Sequence, residues 1–161
     1  MRSWRHAWLT LVLVTASVVG SGAAWAMQCA PYARDISGIN LHGSAWTWWQ
    51  AADGQYGRGN RPQIGAALVF KKSRTMPSGH VAVVTGIVNA RAITVDHANW
   101  VSRGVLRGSV EKDVEIVDES PNNDWSQVRV WYAPTREFGT KIYPVYGFIY
   151  PASQGKSVPS S

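Results

Sequence analysis

Cys29 is the only cysteine in the chain. A lone thiol has no partner for an internal disulfide. It is then an intermolecular bridge, a small buried hydrophobe or a reactive group. Reactivity requires the thiolate, and a free cysteine ionises near pH 8.5. A helix N-terminus or a neighbouring imidazolium lowers that value. Residues 29–36 read as a short helix with Pro31 in its first turn, where the missing N–H is not needed. Cys29 therefore falls at the helix N-terminus. His80 supplies the imidazole: it sits in Gly79-His80-Val81-Ala82-Val83-Val84, where a loop gives way to a strand and a side chain can face a cleft. Such a histidine takes the thiol proton and later gives it to a leaving amine.

A general base needs a third group to hold its ring. Strand alternation chooses among the candidates. In residues 93–99, Ile93, Val95, His97 and Asn99 share one face, and Asp96 points the other way with Thr94 and Ala98. If the strands of His80 and His97 form a hairpin, His97 and Asn99 are the better partners for His80. A Cys-His-Asp triad through Asp96 is the competing choice. The backbone N–H of Cys29 is a natural oxyanion donor, with the side chain of Gln28 as a second. A zinc site from Cys29, His80 and His97 lacks close paired-ligand spacing, so no metal and no cofactor are expected.

Around these residues, Ser44 caps a second expected helix, Ala45 to Ala52, with Trp46 and Trp49 three apart on its core face. That leaves Trp48 as the exposed ring able to line a substrate groove, and Trp100 either lines the groove or packs beneath it. Lys71, Lys72 and Arg74 read as a solvated basic turn. Asp53 to Gly65 is a long glycine-rich loop. Strands follow: Ala66 to Phe70, Gly79 to Val88, Arg91 to His97, Lys112 to Val117, Val128 to Tyr132 and Tyr146 to Tyr150. Helices first and strands after predict an α+β fold on an antiparallel sheet.

The N-terminus reads as an export signal. Arg2 and Arg5 precede an uncharged stretch from Leu9 to Val19, and Ala24-Trp25-Ala26 fits a small-x-small cleavage site. Cleavage leaves a domain over 27–150 and a Ser/Pro-rich tail over 151–161, expected to be disordered. Gln28 argues against a lipid anchor on Cys29, where a small residue would be expected. The signal carries two of the 16 basic residues and none of the 10 acids, so the remaining charge is 14 − 10 = +4. That is too modest for a nucleic-acid partner, and it suits an anionic surface. No stable membrane insertion is expected after cleavage.

Gln28-Cys29-Ala30-Pro31-Tyr32-Ala33-Arg34, the run Pro62 to Phe70, the Gly79–Val84 block and Ile93 to Trp100 together resemble a CHAP domain. This is the cysteine- and histidine-dependent amidohydrolase/peptidase family of the papain-like clan. The resemblance implies a papain-like fold with N-terminal helices packed on an antiparallel sheet. It also implies amide cleavage in peptidoglycan, with Cys29 as nucleophile and His80 as base. With the export signal, the expectation is a secreted or periplasmic monomer. His97 stands where many members carry glutamate, and Asn99 matches an asparagine often found two residues on. The departure at His97 leaves a competing function: a catalytically inactive module that binds wall peptides.

Overall fold

The computed structural model describes residues 28–100 and 106–152. The expected signal peptide lies outside the described residues, as does the expected tail apart from Pro151 and Ala152. The described residues open with helix α1 (Cys29–Ser37), a 3₁₀ turn (Ala45–Thr47) and the one-turn helix α2 (Trp48–Ala51). The strands follow: β1 (Arg58–Gly59), β2 (Ala67–Phe70), β3 (His80–Asn89), β4 (Ala92–Ala98), β5 (Val110–Asp118), β6 (Gln127–Tyr132), β7 (Glu137–Phe138) and β8 (Tyr143–Ile149).

Every pairing is antiparallel. The order β8-β2-β3-β4-β5-β6 returns to β8, because β8 also pairs with β6, so the sheet closes into a barrel. Closure leaves no unpaired edge among these strands. The two-residue strands β1 and β7 branch off as short ribbons.

Alternation then sorts side chains into two apolar clusters. Leu68, Phe70, Ala82, Val84, Ile93, Val95, Ile116 and Phe148 share one cluster with Trp125. Ala67, Val69, Val81 and Val83, on the opposite face of β2 and β3, share the second with Ala30, Ala33 and Trp48 from the helices. Both faces of β2 are thus covered, which is why all four of its residues are buried.

The expected helix over Ala45 to Ala52 is instead a 3₁₀ turn followed by a single α turn. Ser44 makes no side-chain cap, and the Trp46 N–H is tied to the Ser78 carbonyl. Side chains three apart eclipse in a 3₁₀ turn, so Ala45 and Trp48 fall on one face. That face is the buried one, and Trp48 is 0% exposed. Trp48 therefore lines no groove, and the expectation inverted the helix: Trp46 and Trp49 are the half-exposed rings. Lys72 lies over Trp46 and Lys71 over Tyr146, so part of the basic turn covers aromatic faces.

Gly79 joins this corner to β3. Its φ is +63, and a Cβ there would stand 2.8 Å from the Phe70 carbonyl oxygen and from Trp46 Cβ. Gly79→Ala should therefore cost about 1–3 kcal/mol. Thermal unfolding checks this: Tm should fall by several degrees, and an unchanged Tm would contradict the tight approach.

Candidate active site

The site forms where β2 ends, β3 begins and β4 ends. Cys29 and His80 line one cavity of about 440 Å³, together with Gln28, Ser78, Asn99 and Trp100. Cys29 is the first residue of α1 and is partly exposed. Its sulfur meets the backbone N–H of Val81, the residue after His80, as well as the N–H groups of Ala30 and Cys29 itself. Those N–H groups favour the thiolate, as a helix N-terminus should. Burial opposes them and is the larger effect, so the thiol ionises above its ordinary value. This reverses the direction expected from helix position alone.

His80 is 3% exposed. Its ring meets Phe70 and Trp100 edge-on, and its Nε2 lies 3.1 Å from His97 Nδ1. Burial first, and then the neighbouring His97, push its pKa well below the usual imidazole value. His97 is buried as well and stacks on Trp100, their planes 22° apart. Cys29 and His80 thus line one cavity as a neutral thiol and a neutral imidazole, not as an ion pair.

The face reading of β4 separates the candidates for the third group. Ile93 and Val95 join the barrel cluster, and His97 continues their side to reach His80. Asp96 faces away: Tyr32 donates to its Oδ2 at 3.4 Å, and the Asp113 N–H donates to its Oδ1 at 2.9 Å. Asp96 therefore does not orient His80.

Asn99 does not reach His80 either. Its φ is +60, a left-handed turn that asparagine tolerates and that ends the strand's alternation. Its Nδ2 donates to Gln28 Oε1 at 2.9 Å, and its Oδ1 accepts from the Gly108 N–H at 3.0 Å. Asn99 thus fixes the amide of Gln28, next to Cys29, and leaves His80 to His97.

Glu111 is a residue that the sequence reading missed. It lies directly opposite His97 on β5, with its Oε2 3.5 Å from His97 Nε2. Both atoms are sealed from solvent and have no hydrogen-bond partner among the described residues. The apolar alternation Val110, Val114, Ile116 puts Glu111 on the outer face, so the sequence held no clear signal for it. The cavity rim adds Arg107 and Lys141, and no carboxylate among the described residues lines it. No group of three or more His, Cys, Asp or Glu among the described residues could hold a metal. No described helix is long and apolar enough to cross a membrane.

The sequence model of the CHAP domain family matches residues 18–99, half of the chain. No curated protein matches.

The two pKa directions set a pH profile. Cys29 is raised by burial, so its thiolate accumulates only as pH climbs past the ordinary thiol value of about 8.5. Alkylation of the free protein by iodoacetamide should accelerate with pH through the alkaline range, with its midpoint above that value. A rate already at its plateau near neutrality would show a preformed thiolate–imidazolium pair and overturn this assignment.

Proposed function

The chain belongs to the CHAP domain family, and from that membership we propose that it hydrolyses an amide bond of peptidoglycan through an acyl-enzyme on Cys29. The observation that carries the proposal is the shared cavity of the sole thiol and a buried imidazole already engaged on its other nitrogen. We take the helix-on-barrel arrangement around that cavity as papain-like.

His80 uses Nε2 toward His97, so Nδ1 is the nitrogen left to serve Cys29. As the sulfur attacks the substrate carbonyl, His80 Nδ1 takes its proton. Coupling the two events avoids forming a thiolate in a buried site before substrate is present. The tetrahedral oxyanion is met by the Cys29 backbone N–H and by the amide end of Gln28. Asn99 already fixes the acceptor end of that amide. When the C–N bond breaks, the imidazolium returns the proton to the departing amine. Its depressed pKa makes it a strong acid for that poor leaving group. Water, losing a proton to the same nitrogen, then cleaves the thioester to the carboxylic acid and restores the thiol.

Arg107 and Lys141 on the rim favour a substrate segment bearing carboxylates, as a stem peptide does. The reading includes export and action as a secreted or periplasmic monomer; the basic, then apolar N-terminus and Ala24-Trp25-Ala26 support cleavage before Met27.

Digestion of purified peptidoglycan followed by mass spectrometry of the muropeptides tests the proposal and reads which amide is cut. The wild-type chain should release new carboxylate and amine ends. Cys29→Ala should lower the rate at least ~10³-fold, as loss of a covalent nucleophile does. Full activity in Cys29→Ala, or wall binding without any product from the wild type, would refute the mechanism.

A further inference from the structure

We infer that Glu111 is a positioning residue for this site: it selects the proton placement in His97 that leaves His80 a base toward Cys29. The inference rests on the hydrolase reading only for its kinetic readout.

A neutral imidazole carries one N–H and one lone pair, so each ring in a hydrogen-bonded pair fixes its neighbour. His80 Nε2 and His97 Nδ1 lie 3.1 Å apart, and one of them must donate. If His97 donates from Nδ1, His80 Nε2 accepts and His80 Nδ1 carries the proton. That form has no lone pair for the thiol proton. If His80 donates from Nε2, His97 Nδ1 accepts and His97 Nε2 carries the proton. Only this second arrangement gives His80 a basic Nδ1.

Glu111 decides between them. Its carboxylate oxygen accepts but does not donate, and it faces His97 Nε2 at 3.5 Å, an ion-pair distance rather than a finished hydrogen bond. A proton on Nε2 meets that oxygen, whereas a lone pair on Nε2 would face it across a dry gap. His97 is 1% exposed, so no solvent compensates the wrong choice.

A fault in strand register delivers the carboxylate. Val95 lies opposite Val114, yet His97 lies opposite Glu111 where regular pairing would bring Lys112. The extra residue is on β5, where Asp113 takes a left-handed φ of +51. Asp96 holds this bulge by accepting the Asp113 N–H, and Thr85 donates to the Asp113 side chain at 3.1 Å. The bulge flips the parity of β5, so an acid replaces a lysine against the buried histidine. Asp96 thus serves the site indirectly, through the bulge.

Nitrogen-15 NMR of the imidazoles in the full chain, near neutral pH, reads the proton positions directly. His80→Gln and His97→Gln assign the two rings. Nε2–H on both rings is expected in the wild type. Nδ1–H on His97 would overturn the inference, whether or not the protein cleaves peptidoglycan.

The kinetic arm uses Glu111→Gln, whose amide can donate to Nε2 and so reward the wrong form. With folding checked by circular dichroism, its kcat on purified peptidoglycan should fall on the order of 10²-fold with KM unchanged. His97 should shift toward Nδ1–H in the same variant. Lys112→Gln, on the exposed side of the bulge, should keep wild-type kcat. An undiminished kcat in Glu111→Gln would refute the role. A wild type inactive on peptidoglycan would instead refute the hydrolase reading and leave the NMR result to decide this one.

Discussion

The buried contact between His80 and His97 governs the site. Two imidazoles placed out of reach of water cannot both be charged, and desolvation together with mutual repulsion keeps His80 neutral. A neutral imidazole is directional, with one donor and one acceptor. The proton placement in the pair is therefore set by whatever terminates the chain at each end. At one end stands the cavity with Cys29; at the other stands the carboxylate of Glu111. The aromatic walls of Phe70 and Trp100 exclude water from the middle and hold the ring planes.

The closed barrel makes that contact possible. β3 sends His80, Ala82 and Val84 to one face and Val81 and Val83 to the other, where α1 packs. Cys29 and His80 thus approach from opposite sides of a single strand, and the sulfur rests against the N–H of Val81. The cavity forms where both can be reached, at the strand's first residue. Gly79 supplies the turn into that residue, in a space too tight for a Cβ. Position along β3 is therefore as important as the identity of the histidine.

Much of this was legible in the sequence because it depends on local rules. The lone thiol, the helix start at Cys29 and the β3 hairpin each follow from residue types within a few positions. The alternation of Ile93, Val95 and His97 correctly separated His97 from Asp96. Alternation failed wherever the backbone left regular geometry. Asn99 turned left-handed and went to Gln28. The 3₁₀ turn rotated Trp48 inward and Trp46 outward. The bulge at Asp113 moved Glu111 to the face that a period of two denies it. The thiol's ionisation was misjudged for another reason. Helix position is visible in sequence, whereas the burial that outweighs it belongs to the assembled fold.

These departures share a physical logic. A perfectly regular sheet would present Lys112 to His97, placing a cation beside a buried ring that needs an acceptor. It would also carry Asn99 onward with His97 and remove its hydrogen bond to Gln28. Each irregularity costs local backbone energy, on the order of 1 kcal/mol or more for a non-glycine residue in the left-handed region. Each is offset by a specific hydrogen bond: the Asp113 N–H to Asp96, and the Gly108 N–H to Asn99. Asp96, the acid most easily mistaken for a triad member, is best understood in this light. It lies on the far side of the strand from His80, and its carboxylate stabilises the fault in β5 that brings a different carboxylate to the imidazole chain.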